Sequence, residues 1–308
     1  MRPQDLMVGL VGTGAVGQAV GGTLVAGGLC TRLLVTGRTP DRTAALVDDL
    51  WDMRAACGSP VRPYVATALE LRDCEAVVVA LRASFFNARA TDVRMGGAQA
   101  NTPVVRALAA QLAGYEGTVL MVTNPVDLMT RLFAEESGCT RVFGIGSGLD
   151  TARYRLTLAK LLKVPLHAVR GHVIGEHGDA AVVCASSTTV NGHPVPVPLQ
   201  QVRDELATRP GRINSGIGRT RSGPAGAVLS ALRLALGTED GVAELSAPYG
   251  DGFLGIPLRF TRGEPLPCMP PLDDSEARQL EAARIKLRDA YTGVRGIPTQ
   301  PLPTGRNS

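Results

Sequence analysis

The sequence lacks the marks of a membrane protein and of a protein that binds nucleic acid. Its longest apolar runs, such as Ala76–Leu81, have the length of a strand and are far too short to span a bilayer. The net charge of +4 on 308 residues is too weak to predict a nucleic-acid partner, although it slightly favours anionic small molecules. No secretory leader is recognisable, because Met1–Asp5 is polar and glycines interrupt the apolar run from Leu6. We therefore expect a cytoplasmic protein with neither kind of partner.

The cysteines lack the spacing of a metal site. All six are scattered along the chain, without a CxxC pair, and no Cys/His cluster accompanies them. We therefore expect no bound metal ion. The thiols are expected to stay reduced and mostly buried.

Two patterns divide the chain, whose 308 residues suit two packed domains. Up to about Gly146, apolar strand patterns alternate with helix patterns, which is typical of βαβ units and of a parallel sheet. Beyond it, helices mix with strands of antiparallel character, such as Val182–Val190. We predict an α/β protein: a doubly wound parallel sheet in residues 1–146, an α+β domain in 147–292, and a poorly packed tail in 293–308.

A glycine-rich turn follows the first predicted strand. It reads Gly12, Thr13, Gly14, Ala15, Val16, Gly17, which is the GxGxxG spacing at the start of a helix. The first glycine permits the tight turn, the second lets the backbone approach a pyrophosphate, and the third lets the helix pack on the strand. The turn therefore predicts a Rossmann-type site for a dinucleotide, with all six residues as cofactor contacts.

The second predicted strand ends in Thr36, Gly37 and Arg38, which we expect to contact the cofactor. An acidic residue that binds the adenosine ribose hydroxyls normally stands where Thr36 does. Without that carboxylate, Thr36 and Arg38 could hydrogen-bond and pair with a ribose 2′-phosphate, which favours NADP over NAD. The alternative is that Arg38 is a solvated surface charge and that NAD is used weakly.

A histidine bracketed by glycines follows the apolar run Ala168–Ile174. His177 lies in the segment GEHGD, at a strand-to-loop edge that faces a cleft more often than a core. An imidazole titrates near neutrality, so it can accept a hydroxyl proton as hydride leaves the same carbon, and return it in reduction. Alone, such a histidine would more often be structural.

Asp150 and Arg153 bring charge to the start of a predicted helix, Thr151–Leu162, with Asp150 as its N-cap. Asp150 could orient His177 through the second ring nitrogen and stabilise the imidazolium. Arg153, one turn later, could bind a substrate carboxylate through two parallel hydrogen bonds. In isolation the pair is also typical of an N-cap and an ordinary helix salt bridge.

The segment TNPVD follows the predicted strand Thr118–Val122. Its proline stops the strand and exposes the Asn124 amide at the carboxyl end of the sheet, where open α/β sheets bind ligands. A lone Asn-Pro dipeptide would simply be a turn.

Taken together, these motifs resemble the lactate/malate dehydrogenase family over about Leu6–Tyr291. The resemblance rests on five segments in the order and spacing of that family: GTGAVG, TNPVD, GSGLDTARYR, GEHGD and GFLGIPL. It implies a nicotinamide-binding domain followed by a substrate domain. It also implies these roles: acid–base histidine for His177, its aspartate partner for Asp150, carboxylate-binding arginine for Arg153, and a place near nicotinamide and substrate for Asn124.

The family also carries a mobile loop, here after Ala76–Leu81, with an arginine that polarises the substrate carbonyl. Arg94 lies seven residues before Asn101, the interval that family members show, so the resemblance assigns it to transition-state charge stabilisation. Loop closure would exclude water from the hydride path. Further cofactor contacts are expected at Ala80, Asn101, Val122 and Asn124.

The loop departs from the family pattern. ALR at residues 80–82 replaces the usual TAG segment, and MGG after Arg94 replaces a leucine-rich helix start. The specificity residue would be Ala88, six positions before Arg94, with Arg89 beside it. An arginine there suits a second carboxylate, as in oxaloacetate or malate, whereas an alanine does not.

The resemblance also implies other substrate contacts. We place Arg89 and Thr220 among the residues that bind substrate, and Arg221 offers another anion contact. Arg82, Arg89 and Arg221 are equally typical of surface charges.

We therefore predict an NAD(P)-dependent oxidoreductase that interconverts a small anionic 2-oxo acid and its 2-hydroxy acid, with a malate- or oxaloacetate-like substrate and NADP preferred. Two alternatives remain: a catalytically silent nicotinamide-nucleotide-binding protein that retains the fold, which the altered loop favours, and a nicotinamide-dependent glycosidase, which would need metal ligands that we do not find. By analogy with the family we expect a homodimer or homotetramer.

Overall fold

Six parallel strands joined by helices make up the first half of the protein. The structure is a computed structural model that describes residues 6–87, 89 and 91–298. The strands lie in the order β3-β2-β1-β4-β5-β6, which confirms the predicted doubly wound sheet. The elements of this half are β1 (Met7–Val11), α1 (Ala15–Gly27), β2 (Arg32–Thr36), α2 (Pro40–Cys57), β3 (Arg62–Val65), β4 (Ala76–Val79), α3 (Ala98–Gln111), β5 (Thr118–Met121), α4 (Val126–Ser137) and β6 (Val142–Ile145).

The central strands of this sheet are buried along their whole length. Every residue of β4, β5 and β6 is buried, which is why these strands are continuous apolar runs and not alternating ones. The order of the strands reverses between β1 and β4. The connections that follow β1 and β4 run in opposite directions, so a crevice opens at the carboxyl ends of these two strands.

The second half adds antiparallel strands to the same sheet. Its elements are α5 (Ser147–Leu162), β7 (Val169–Arg170), β8 (Val173–Gly175), β9 (Ala181–Val183), β10 (Thr189–Val190), β11 (His193–Pro194), α6 (Leu199–Ile217), α7 (Ser222–Ala235), β12 (Gly241–Tyr249), β13 (Gly252–Thr261), β14 (Glu264–Pro267) and α8 (Asp274–Arg295). β12 pairs antiparallel with β6, and the sheet continues through β13 and β8 to β9. Because the sheet is continuous, the domain limit at residue 146 stays a prediction.

Three details differ from the sequence-based expectation. Asp150 is not the N-cap of α5, because the helix begins at Ser147 behind Gly146 and the Asp150 carboxylate is engaged by side chains. The run Val182–Val190 is two strands, β9 and β10, that belong to different sheets. The predicted tail begins later than residue 293, because α8 extends to Arg295; residues 299–308 lie outside the described residues.

Several elements were not predicted from the sequence. They include α4, α6 and the long strand β12. β12 matters most, because it joins the parallel half of the sheet to the antiparallel half. It pairs with β13 across the tight turn between Tyr249 and Gly252, whereas its other partner, β6, lies far away in the sequence.

The buried apolar side chains form one large cluster and one small one. The large cluster includes residues of both halves of the chain, and the small one surrounds Tyr154 and Val169 on the far side of α5. α5 therefore lies between two cores, and the charged residues in its first two turns are fixed from both sides. Among the described residues, no helix has the length and apolar character needed to cross a membrane.

Candidate active site

The glycine turn after β1 is tight inside and open outside. Gly12 has a φ of 114°, and a Cβ there would lie 2.5 Å from the Ala80 carbonyl oxygen. A Cβ on Gly17 would collide with the Gly12 carbonyl oxygen, so α1 can pack this closely only with glycine. Gly14 is exposed, and no atom lies within 4 Å of a Cβ built on it. The first turn of α1 carries no side-chain cap, so its N–H groups suit an anion such as a pyrophosphate.

The end of β2 lies beside this turn. The Gly12 N–H donates to the Thr36 carbonyl oxygen at 2.8 Å, and a Cβ on Gly37 would lie 2.8 Å from Thr13 Cγ2. Arg38 is exposed and makes no hydrogen bond or ion pair with any described residue. Thr36, Gly37 and Arg38 therefore flank the turn but do not line the main cavity.

A cavity of about 1440 Å³ opens at the carboxyl ends of β1, β4 and β5. It brings together most of the site residues that the sequence predicted, from widely separated parts of the chain. Those that line it are Gly14, Ala15, Val16, Ala80, Arg94, Asn101, Val122, Asn124, Asp150, Arg153, His177 and Thr220.

His177 and Asp150 form a buried pair in the cavity wall. His177 Nδ1 lies 2.6 Å from Asp150 Oδ2, and both residues are less than a tenth exposed. Burial alone would raise the pKa of Asp150, but the charge and hydrogen bond of His177 outweigh it and hold that pKa below its usual value. An ionised carboxylate only accepts hydrogen bonds, so Nδ1 carries the hydrogen and Nε2 is left for a reacting oxygen.

Asp127 holds the main chain of the same histidine, and the sequence reading did not single it out. The His177 backbone N–H donates to Asp127 Oδ2 at 2.8 Å. Asp127 is 3 % exposed. Its burial raises its pKa to about 6, although the hydrogen bond from the His177 backbone acts in the opposite direction. A carboxylate in the first turn of a helix behind an Asn-Pro turn is a weak signal, because it is also the ordinary way to stabilise a helix start.

Arg153 occupies the same wall, one turn along α5. Its Nη1 donates to Asp150 Oδ1 at 3.2 Å, and the residue is 6 % exposed. Burial lowers the pKa of Arg153, and the charge of Arg94 lowers it further. The Asp150 carboxylate acts in the opposite direction but does not outweigh them. Two guanidinium groups thus approach each other in the cavity. A carboxylate bound between them would relieve their repulsion.

The loop between β4 and α3 is tied at its start to the TNPVD segment. Asn101 Oδ1 accepts a hydrogen bond from the Ala83 N–H at 2.8 Å, and Asn101 Nδ2 donates to the Asn124 carbonyl oxygen at 2.7 Å. Thr123 Oγ1 donates to the Leu81 carbonyl oxygen at 2.8 Å. These contacts hold the first residues of the loop against the part of the cavity that Asn124 lines.

The far end of the loop is tied to the segment around His177. The Asp92 N–H donates to Asp179 Oδ2 at 2.9 Å. Lys286 Nζ on α8 lies 2.9 Å from Asp92 Oδ1 and 2.7 Å from Glu176 Oε2, so one ammonium group bridges the loop and the neighbour of the histidine. The 3₁₀ turn that carries Arg94 begins directly after Asp92.

Arg89, in contrast, is not brought into the cavity. Its side chain is 54 % exposed, and Arg89 Nη1 lies 3.9 Å from Asp92 Oδ2. The expectation that Arg89 contacts substrate is therefore not supported by its position, because its charge is turned to a neighbour on the loop. Ala88, the expected specificity position, lies outside the described residues. The part of the chain that the structure describes contains no group of three potential metal ligands.

Comparisons with known proteins identify similar sequences. A family model described as "lactate/malate dehydrogenase, NAD binding domain" matches residues 6–144. The L-lactate dehydrogenase of Staphylococcus epidermidis is 28 % identical over 96 % of this chain and 100 % of its own length. The L-2-hydroxycarboxylate dehydrogenase (NAD(P)(+)) of Methanocaldococcus jannaschii is 29 % identical over 81 % of this chain and 86 % of its own.

Solved structures show the same fold. The minor L-lactate dehydrogenase of Enterococcus mundtii superposes with a TM-score of 0.87 at 24 % identity, over 95 % of this chain and 99 % of that one. At this level of identity the similarity establishes the fold alone. The predicted Rossmann-type fold is thus confirmed by both the sheet order and the comparison.

Proposed function

We propose that this chain, which belongs to the lactate/malate dehydrogenase family, catalyses the reversible reduction of a small anionic 2-oxo acid to its 2-hydroxy acid with a nicotinamide cofactor. The observation that carries the proposal is the buried pair of His177 and Asp150, 2.6 Å apart, in one cavity with Arg94 and Arg153. Acid–base chemistry and anion binding are therefore available at the same place.

The glycine turn fits the cofactor that the family implies. Gly12 packs closely against the Ala80 backbone, whereas Gly14 is open to solvent and leaves room for a pyrophosphate. The uncapped start of α1 offers N–H donors to it. Ala80, Asn101 and Val122 would line the path from this turn to the reacting carbon. When bound there, the nicotinamide supplies or accepts the hydride.

The residues of the chain bind the substrate and move the proton. Arg153 holds the 2-oxo carboxylate through two hydrogen bonds, and Arg94 stabilises the negative charge that develops on the carbonyl oxygen. His177 Nε2 gives its proton to that oxygen in reduction and takes it back in oxidation. Asp150 stabilises the imidazolium form, and Asn124 and Thr220 position the acid.

The finer assignments are part of the proposal. We infer a malate- or oxaloacetate-like acid, or another anionic 2-oxo acid, because the cavity is rich in arginine. NADP is favoured because Thr36 stands where an acid would repel a 2′-phosphate, and Arg38 beside it has no described carboxylate partner. The name of the Methanocaldococcus jannaschii relative includes both cofactors. A homodimer or homotetramer in the cytoplasm is expected.

The experiment is a panel of 2-oxo acids assayed with NADH and NADPH by the absorbance of the reduced nicotinamide. We expect turnover, and about tenfold lower kcat/KM with NADPH for Arg38→Asp, since one charge-assisted contact is worth roughly 1.5–3 kcal/mol. Arg62→Asp is the matched control. Arg62 is also exposed, but it lies at the amino end of β3, whereas Arg38 follows the carboxyl end of β2. Tight NADPH binding without any turnover would favour the silent nucleotide-binding protein. Equal efficiency with both cofactors would contradict the NADP preference.

A further inference from the structure

Three of the described arginines in the cavity wall take no part in the reaction proposed above: Arg82, Arg203 and Arg219. Arg203 donates a hydrogen bond to Gln279 Oε1 at 2.9 Å, which leaves the other two for a ligand. Arg82 and Arg219 both line the cavity, and neither pairs with a carboxylate of the described residues. Of the three described acids that line the cavity, Asp150 is engaged by His177 and Arg153, Asp92 by Lys286, and Asp179 accepts a hydrogen bond from the Asp92 backbone N–H. The cavity thus carries more positive charge than the 2-oxo group requires.

Arg82 is held on the side of the cavity that Asn124 lines. Its two chain neighbours are fixed there by hydrogen bonds of Asn101 and Thr123. The Arg82 guanidinium carbon lies 4.4 Å from the centroid of the Phe85 ring. A cation on an aromatic face keeps its charge available to a ligand, because the ring holds it without neutralising it.

The Phe85 ring links Arg82 to the substrate region. A Cβ built on Gly97 would lie 2.9 Å from Phe85 Cζ and 3.3 Å from the Asn124 carbonyl oxygen. The ring therefore packs in the corner that Gly97 and Asn124 form. The ring that carries the Arg82 guanidinium therefore also borders the part of the cavity that Asn124 lines.

Arg219 approaches from the opposite wall, where α6 ends and α7 begins. It precedes Thr220, whose methyl group lies near Gly223, and Gly223 in turn packs on Leu149, the neighbour of Asp150. Burial lowers the pKa of Arg82, and the charge of Arg219 lowers it further. Both guanidinium groups therefore contribute positive charge to the same cavity.

We propose that Arg82 and Arg219 form a second anion subsite, which binds the distal acidic group of a dianionic 2-oxo acid. The inference rests on the proposed function, in which Arg153 and Arg94 bind the proximal carboxylate and the carbonyl oxygen. Specificity is then set by Arg82, at the start of the loop that follows β4, and by Arg219 at the α6–α7 junction, and not by Arg89 farther along the same loop. The phosphates of the cofactor have their own place at the glycine turn.

The test compares acids that differ only in a terminal carboxylate or methyl group: oxaloacetate with 2-oxobutanoate, and 2-oxoglutarate with 2-oxopentanoate. The native protein should prefer one dianion by roughly 100-fold in kcat/KM, the value of a charge-assisted contact pair. Arg82→Gln and Arg219→Gln should each lower kcat/KM by about tenfold for the dianion alone. Arg212→Gln, an exposed arginine of α6 outside the cavity, should leave both values unchanged.

The unchanged monoanion rate serves as the folding control for each variant. An unaltered dianion preference in Arg82→Gln and Arg219→Gln, or its loss in Arg89→Gln instead, would overturn the subsite. Weaker NADPH binding with an unchanged preference would assign the two arginines to a cofactor phosphate and overturn it as well. Turnover of monoanions without any preference overturns this inference alone, whereas no turnover of any acid overturns the proposed function and this inference together.

Discussion

The two walls of the cavity are built differently. On one wall, Asp150, Arg153 and His177 are almost fully buried and hydrogen-bonded to one another or to Asp127. On the other wall, the described residues of the loop from Ala80 to Gly97 are exposed or half-buried, apart from Gly97, and several of its contacts join exposed groups. Buried and mutually satisfied groups are expensive to rearrange, whereas exposed loop contacts are not. Under the proposed function, the proton-transfer pair therefore lies where the structure is least free to change, and Arg82 of the proposed subsite lies where it can change more easily.

The largest expected effect tests the buried wall. His177→Ala should lower kcat by about 10³-fold, and Asp150→Asn by about 10²-fold, because the first removes the proton donor and the second only its charged partner. Both variants should still bind NADPH, as measured by fluorescence titration. His193→Ala is the control, since His193 is exposed on β11 and outside the cavity. Full activity of His177→Ala would remove the proposed mechanism.

The next effect concerns Asp127, beneath the same histidine. Its pKa is raised from 3.8 to about 6, so the folded protein binds this proton more tightly than the unfolded chain does. The free energy of unfolding should therefore fall as the pH rises from about 4 to about 6, by roughly 2–3 kcal/mol. Asp127→Asn keeps an acceptor for the His177 N–H but cannot titrate, so this fall should be absent.

Urea unfolding at a series of pH values measures the Asp127 effect. Asp48→Asn, an exposed carboxylate on α2, is the control and should keep the slope of the native protein. The same slope in Asp127→Asn as in the native protein would show that the carboxyl titrates normally. The comparison also separates the electrostatic role of Asp127 from its role as a hydrogen-bond acceptor.

The smallest effect is expected on the loop wall. Asp92→Asn removes the loop end of the Lys286 bridge and leaves the Lys286–Glu176 pair intact. It should lower kcat/KM by roughly fivefold and increase amide exchange in residues 82–97, with stability changed by less than about 0.5 kcal/mol. Lys286→Met should have the same effect on the loop and also destabilise the protein by about 1–2 kcal/mol, because buried Glu176 loses its partner.

Hydrogen exchange and urea unfolding of the two variants distinguish the two ends of the bridge. Equal stability losses in both would place the energy of the bridge in the loop contact and not in the buried one. Unchanged exchange in residues 82–97 would mean that the bridge does not order the loop at all. In either case the proposed difference between the two walls would be weakened.

Local pattern predicted the parts of the molecule whose physics is local. The GxGxxG turn was recognisable because its glycines meet constraints within a few residues, as Gly12 and Gly17 show. The predicted strand Thr118–Val122 agrees with β5 to within one residue, because an apolar run of that length fits a buried strand. Asp150 was assigned to the wrong backbone position, since its preference for a helix N-cap lost to a side-chain contact with His177.

The resemblance to the family supplied the predicted site residues. On the loop between β4 and α3, one of these predictions does not agree with the structure. Arg94 and Thr220 line the cavity, but Arg89 does not, because an ion pair with Asp92 is available nearer at hand. Asp127 was missed, since its partner is the backbone of a residue 50 positions later. A backbone donor leaves no trace in the identity of that residue.

By itself, the sequence determined the glycine turn, the alternation of strands and helices in the first half, and the motifs that belong to one family. The tertiary structure alone decided that Asp127 supports His177, that Lys286 joins Asp92 to Glu176, and that Arg82 and Arg219 line one cavity. The first group depends on backbone and side-chain preferences within a few residues. The second depends on contacts across 50 to 194 residues, whose energies exist only once the strands have set the distances.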